Sequence, residues 1–519
     1  MTVASGWQAA ARGSDVPVGG REPDAVLEMP KLKVLFVGSE CAPFAKTGGL
    51  GDVVGSLPKA LHRLGIDVRV VLPLYAGMPW NTFDVLEGSL AVPMWFGVAR
   101  AAVRMTTLPH SEVPIYFLEH HRYFDRPFIY GPAEQGYPDN LERFTFLSRG
   151  ALELCKAVAW IPDVVHAHDW VTALVPVYIN TVEWAQPLHG CASIYTIHNL
   201  AYQGINDAGA LFITCLGREH YHPGEFEHFG AMNVTKAALR HSTLLTTVSP
   251  TYAKEIQTPT HGCGLDGVLA ERSDDLHGIL NGIDSDDWKP ATDPRIAANF
   301  DRGDLRGKAI CKAALQRDAG LPERPEVPVF GVVGRLTYQK GMDVLAYAMD
   351  QILRWDVQIV LLGMGDHDAE RFFAELSYWR HDRFHAWLKF DDAIAHQIQA
   401  GADFFIMPSR FEPCGLNQLY SLRYGTLPIV RGTGGLNDTV VSYDEATGEG
   451  TGFVFYDLRP SSLADTVGWA LSTWVDRPKH IEVMRHRAME QDFSWDRAAK
   501  EYERTYRLAY ERRRGHPFG

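Results

Sequence analysis

The sequence predicts two doubly wound α/β domains facing a cleft. Three observations carry that reading: the length, the alternation of short apolar runs with helix-length stretches, and a charged segment containing Pro and Gly near the middle. At 519 residues the chain exceeds what one ordinary core covers, so two domains are expected. Short β-branched runs between longer helical stretches mark parallel sheets covered on both faces.

Residues 1–30 carry Asp15, Glu22, Asp24 and Glu28 and no apolar core, unlike a secretory signal or an acid-poor transit peptide. A disordered leader is expected there. The first domain is placed at residues 31–288, with strands at 34–38, 68–72, 115–118, 164–167, 193–197, 244–248 and 278–280. Residues 289–328, rich in Pro, Gly and charge, read as a linker and hinge. The second domain, residues 329–494, has strand candidates at 329–333, 357–362, 386–389, 404–407, 427–430 and 452–455. From Trp495, the residues Ala498, Ala499, Tyr502, Tyr506 and Ala509 keep helical spacing, so 495–519 forms an amphipathic helix with a basic end.

Composition excludes several functions. The chain is 46% apolar and 22% charged, as in soluble globular proteins. No run approaches the ~20 apolar residues that cross a bilayer. A formal charge of −13 disfavours nucleic acid and anionic membrane as partners, so an anionic substrate would need cations supplied locally. The seven cysteines are scattered without a C-x-x-C pair, against a disulfide framework or structural zinc and in favour of a reducing cytoplasm.

Polar residues cluster where strands end, which is where open α/β sheets bind ligands. Lys46-Thr47-Gly48-Gly49-Leu50 follows the first strand, and Gly432-Thr433-Gly434-Gly435-Leu436 echoes it late in the second domain. Such turns let backbone N–H groups approach a phosphate or sugar, although plain strand–helix junctions use glycine too. Gly334-Arg335-Leu336-Thr337-Tyr338-Gln339-Lys340-Gly341 sets a guanidinium and an ammonium after an apolar strand, a pair suited to a pyrophosphate or to a solvated turn. In Pro408-Ser409-Arg410-Phe411-Glu412-Pro413-Cys414-Gly415-Leu416-Asn417 a carboxylate precedes a helix start, where the dipole favours an anion. His166-Ala167-His168-Asp169-Trp170 and Thr196-Ile197-His198-Asn199-Leu200 each end a strand candidate. The His166/His168 spacing is generic for a metal, and Asp284-Ser285-Asp286 reads better as a turn cap than as a metal-binding D-x-D. The aromatic stretch from Tyr123 to Tyr137 offers either rings for sugar stacking or core for the next helix.

K-T-G-G-L-G-D-V, H-A-H-D-W, T-I-H-N-L-A-Y-Q-G, L-N-G-I-D, G-R-L-T-Y-Q-K-G, P-S-R-F-E-P-C-G-L-N-Q and T-G-G-L-N-D-T-V occur in the order found in bacterial glycogen and plant starch synthases. The chain resembles that family from about Lys33 to about Tyr506. The resemblance implies a GT-B fold: two Rossmann-like domains with the site between them and a final helix crossing back to the first. It implies a retaining transfer of glucose from ADP-glucose to the non-reducing end of an α-1,4-glucan (glycogen or a maltooligosaccharide), with no metal or other cofactor. It gives Asp169, His198, Arg335, Lys340 and Glu412 catalytic roles. Donor contacts fall to Lys46, Gly49, Asp52, Asn199, Asn281, Phe390, Gly415, Leu416, Asn417, Thr433, Gly434 and Gly435, and an acceptor contact to Tyr130. Phe390 stands where relatives often have a tyrosine, which keeps stacking and loses a hydroxyl, and Asn417 stands where some have threonine. The competing readings are a sucrose- or trehalose-phosphate-type transferase using UDP-glucose, and an NAD-binding oxidoreductase. The latter lacks its G-x-G-x-x-G turn after the first strand.

Overall fold

The computed structural model describes residues 30–132 and 136–518, so the leader expected at 1–30 lies almost wholly outside the described residues. In chain order the strands are β1 (Lys33–Val37), β2 (Asp67–Pro73), β3 (Asp84–Val85), β4 (Leu90–Met94), β5 (Gly97–Thr107), β6 (Pro114–Glu119), β7 (Val164–His168), β8 (Ala192–Ile197), β9 (Ile205–Asp207), β10 (Glu227–His228), β11 (Ala231–Asn233), β12 (Leu244–Thr247) and β13 (Leu276–Gly278). The second domain adds β14 (Val329–Val333), β15 (Gln358–Leu362), β16 (Phe384–Trp387), β17 (Phe404–Met407), β18 (Leu427–Arg431) and β19 (Phe453–Phe455).

The main sheet of the first domain runs β13-β12-β8-β7-β1-β2-β6-β5-β3, and that of the second β16-β15-β14-β17-β18-β19. The pairings from β6 to β13 are parallel, as are all those of the second sheet. Both sheets therefore wind outward in two directions from a central strand, β1 or β14. The central strands are apolar and buried on both faces: Val34 and Phe36 are fully covered, as are Val329 and Phe330. That double burial is why they read as continuous apolar runs.

Two strands are displaced from their predicted runs, β13 and β16, each starting two residues earlier than expected. The antiparallel flap β3–β5 was not predicted. Its longest member, β5, buries Ala99, Ala101 and Val103 on one face and alternates them with Arg100 and Arg104. Small residues at period two make no apolar run, so the signal lay in the alternation. The small sheet β10-β11-β9 was missed because its strands have two or three residues.

The segment read as a linker at 289–328 contains the helix Arg306–Asp318, which is built into the second domain. Its buried Lys308 donates to the Ala400 carbonyl (3.0 Å) and the Thr426 hydroxyl (2.7 Å), and Lys312 pairs with Asp403 at 2.8 Å. These lysines belong to the charge that made the segment read as a linker. Their stems pack and their heads are satisfied inside. The C-terminal helix, Trp495–Arg514, crosses back and buries Trp495, Ala498, Ala499, Tyr502, Tyr506 and Ala509 in the core of the first domain. No helix among the described residues is long and apolar enough to cross a membrane.

Candidate functional site

In each sheet the winding reverses beside the central strand, between β1 and β7 in the first domain and between β14 and β17 in the second. Ligands of such sheets bind outside the carboxyl ends of the strands at that reversal. The loops leaving β1, β7, β8, β14 and β17 meet around one cavity of about 790 Å³ between the domains.

After β1, Lys46, Gly49 and Asp52 line the cavity. Lys46 Nζ donates to Asp52 Oδ1 at 2.7 Å and keeps 43% of its side chain exposed, so its charge is held at the rim. Sequence reading missed Glu40, which is 3% exposed. Its carboxylate accepts from the amide (2.6 Å) and hydroxyl (2.8 Å) of Thr47, the Gly48 amide (3.0 Å) and the Tyr130 hydroxyl (2.6 Å). Two of the turn's amides, those of Thr47 and Gly48, are thus taken by a buried carboxylate. Nothing in the local sequence distinguishes it from a solvated glutamate. Tyr130 lines the cavity with its ring, since Ser39 and Glu40 hold its hydroxyl. In the aromatic stretch before it, Tyr123 and Phe124 are fully buried and serve the core.

After β7 the backbone of Asp169 sits at φ 55°, ψ −178°, a left-handed-side conformation rare outside glycine and found at functional sites. Its Oδ1 accepts from the amides of His198 (2.7 Å) and Asn199 (3.4 Å) at the end of β8. Burial pushes the Asp169 carboxyl up to about 7, although those two donors favour the ion. Burial pulls His198 down to about 3, so its imidazole is neutral. Asn281 lines the cavity with a buried side-chain oxygen that has no partner among the described residues.

On the facing wall Arg335 is exposed and makes no ion pair among the described residues. Lys340 Nζ donates to Glu412 Oε2 at 2.6 Å, and the Ser409 hydroxyl reaches the same oxygen at 3.0 Å. Glu412 is 4% exposed, so its charge depends on those partners. Gly341 brings the two loops together: at φ +69°, a Cβ there would lie 2.0 Å from the Pro408 carbonyl oxygen. Gly415, Leu416 and Asn417 line the cavity, but the Asn417 amide donates to the Val333 carbonyl (3.1 Å) and braces β14. Phe390 stands on the rim with 85% of its surface exposed, a face open to stacking.

Thr433, Gly434 and Gly435 do not line the cavity. The Thr433 hydroxyl (2.9 Å) and Gly434 amide (3.0 Å) donate to Glu255 of the first domain, and the Gly435 amide to the Glu412 carbonyl (3.1 Å). In this structure the turn joins the domains instead of facing the cavity. Nearby, Ser249 donates to the Pro413 carbonyl (2.6 Å), and the Thr251 amide (2.8 Å) and hydroxyl (2.6 Å) donate to Asp438.

Asp284 accepts from the amides of Asp286 (3.0 Å) and Asp287 (3.3 Å), which is the geometry of a turn cap. Among the described residues no three His, Cys, Asp or Glu side chains gather as a metal site requires.

Comparison with known proteins bears on most of the length. Residues 33–271 match the family described as starch synthase catalytic domain, and residues 316–488 that of glycosyl transferases group 1. Glycogen synthase 1 of Geobacter metallireducens is 49% identical over 94% of this chain and 98% of its own. The glycogen synthase of Anaeromyxobacter sp. is 46% identical over 92% and 99%. Among solved structures, the catalytic domain of starch synthase IV from Arabidopsis thaliana bound to ADP and acarbose superposes with a TM-score of 0.86 at 35% identity. It covers 93% of this chain and 100% of that one. A sucrose-phosphate synthase from Thermosynechococcus elongatus shares the fold, with a TM-score of 0.59 at 16% identity, over 92% of this chain and 99% of its own.

Proposed function

The chain belongs to the glycogen synthase and starch synthase family of glycosyltransferases, and on that premise we propose that it lengthens an α-1,4-glucan at its non-reducing end with glucose from ADP-glucose. The supporting observation is the cavity itself. An acidic protein places Lys46 on one wall and Arg335 and Lys340 on the other, with an exposed aromatic ring, Phe390, on the rim. Cations from two domains suit a diphosphate, and the ring suits a base.

The chemistry follows from charge. As the glycosidic bond to the diphosphate breaks, negative charge grows on the leaving oxygens and positive charge on the sugar ring. Arg335, Lys340 and Lys46 stabilise the first. Glu412, held by Lys340 and Ser409, lies beside the second. Asp169, His198 and Asn199 form a polar set tied together by the Asp169 carboxylate, fit for sugar hydroxyls. No side chain is set apart as a nucleophile, so retention is assigned to departure and attack on one face of the sugar. This scheme needs no metal, because three side-chain cations supply the compensation. Exhaustive chelation should leave turnover intact, and loss reversed by one divalent ion would refute that part.

A donor panel tests the assignment. Incubation with glycogen and either ADP-glucose or UDP-glucose should release ADP far faster than UDP. Preference for UDP-glucose, or no glucan extension with either donor, would overturn it.

A further inference from the structure

His166 and His168 point to one face of β7, and both are fully buried. His166 has both nitrogens occupied, Nδ1 by the Tyr506 hydroxyl (2.9 Å) and Nε2 by the Thr196 hydroxyl (2.5 Å). His168 differs. Its Nδ1 meets His198 Nε2 at 3.0 Å, while its Nε2 is buried without a partner among the described residues. The His168 ring packs against two neighbours: Phe36 stacks on it with centroids 5.3 Å apart, and the His166 centroid lies 4.1 Å away. His198 lines the cavity and His168 does not. His168 therefore acts on the cleft only through His198.

The proton between the two rings has a definite owner. If His198 Nε2 carried it, neutral His168 would have to carry its own proton on Nε2, a buried N–H with no acceptor. If His168 Nδ1 carries it, only a bare lone pair on His168 Nε2 is left unpartnered. Orphaned buried N–H groups are the rarer and costlier case. Protonating either ring is also opposed, because burial depresses both imidazoles.

We propose that His168 is a positioning residue: its Nδ1–H donates to His198 Nε2 and so fixes His198 as the Nδ1–H tautomer, a hydrogen-bond donor to a hydroxyl of the transferred sugar. His198 is then held twice, by its amide on Asp169 (2.7 Å) and by its ring on His168 (3.0 Å). Its Nδ1, which has no protein partner among the described residues, is the nitrogen left for the cleft. Without His168 the ring can turn and exchange tautomers, and the donor is present for only part of the time. The proposal rests on reading the cleft as the glucosyl site, but the tautomer does not.

Two measurements on the full-length protein test it. In ¹⁵N-histidine-labelled protein, two-bond ¹H–¹⁵N correlations report each tautomer directly, with His198 assigned by its loss in His198→Asn. The expected spectrum shows His198 protonated at Nδ1 with Nε2 bare, and His168→Phe shifts it to a mixture. The second measurement is kinetic. His168→Asn can place an amide N–H near the lost Nδ1–H, whereas His168→Phe keeps the ring volume and lacks the donor. Turnover should fall by about 10- to 100-fold in His168→Phe, the scale of a misplaced contact group, and be largely retained in His168→Asn. A packing role would reverse that order, since Asn leaves a void and Phe fills it. A wild-type spectrum with His198 protonated at Nε2, or equal turnover in both variants, would overturn the proposal. Should His168→Phe not fold, the wild-type spectrum and His168→Asn turnover decide. Wild-type protein that transfers from no donor would refute the reading of the cleft instead, with the spectrum still deciding the tautomer.

Discussion

The two T-G-G-L turns share a sequence and a place after a parallel strand, yet they do different work. In both, a glutamate of the first domain takes the turn's hydroxyl and amide groups: Glu40 for Thr47 and Gly48, Glu255 for Thr433 and Gly434. The difference is in the glycines. A Cβ on Gly48 would meet nothing within 4 Å, and one on Gly49 only the Leu416 side chain at 3.7 Å. A Cβ on Gly434 would lie 2.0 Å from the Glu412 carbonyl oxygen, and one on Gly435 2.0 Å from that of Cys414. The first turn keeps its glycines to leave space beside Lys46. The second keeps them to press against the loop that holds Glu412. A glycine-rich motif states that backbone comes close to something, and only the surroundings say whether that is ligand or protein.

The largest expected effect breaks the first turn's side of this comparison. Lys46→Ala should lower turnover by about 10²–10³, the scale for losing an oriented stabiliser of developing charge, with little change in melting temperature because Lys46 lies at the surface. Arg335→Ala, exposed on the facing wall, should do the same. Near-normal turnover in both variants would remove the diphosphate from their joint custody.

Gly435→Ala should invert that pattern. The forced Cβ overpacks the Cys414 backbone and should destabilise the protein by about 1–3 kcal/mol in denaturant unfolding. Turnover would fall because Glu412 moves. If Gly435→Ala keeps its stability and loses donor affinity, the second turn binds ligand after all.

A third expectation concerns pH at Asp169, beside the first turn's Glu40. Burial raises the Asp169 carboxyl from 3.8 to about 7, so the folded state disfavours its ion. This group's contribution to stability is therefore lost as pH rises from 3.8 towards 7. Turnover that needs the carboxylate rises over the same range, falling about tenfold per unit below pH 7. Nearby Glu40 adds to the upward shift, so Glu40→Gln should move the limb to lower pH. An unmoved limb would assign it to another group.

The smallest effect belongs to Glu255→Gln. It keeps an acceptor for Thr433 and Gly434 but loses the charge, for about 1 kcal/mol. Small-angle scattering should show a wider distribution of domain separations in that variant, and none in Glu40→Gln. Equal profiles would mean that Glu255 does not hold the domains together.

The central strands of both sheets were legible because double burial writes itself as an uninterrupted apolar run. The cavity-lining loops were legible because Lys46, Asp169, His198, Arg335 and Glu412 all follow such strands. Glu40 and Glu255 were not legible. A carboxylate that holds a turn looks the same in sequence as a solvated one, and its place depends on the donors that the folded turn brings to it. The helix Arg306–Asp318 was hidden for a related reason, since the partners of Lys308, and the Asp403 that pairs with Lys312, lie nearly a hundred residues away or more. The packing of the second T-G-G-L turn against the Glu412 loop was not legible, because local sequence records the glycine and omits its neighbour.

The most direct test of the account is the product itself. Purified protein should be given ADP-glucose and a short maltooligosaccharide, with chain length read by mass and the new linkage by ¹H NMR. The account predicts chains one glucose longer, an α-1,4 bond at the non-reducing end, and one ADP released per glucose added. A β linkage, or ADP release accompanied by free glucose and no longer chains, would contradict it.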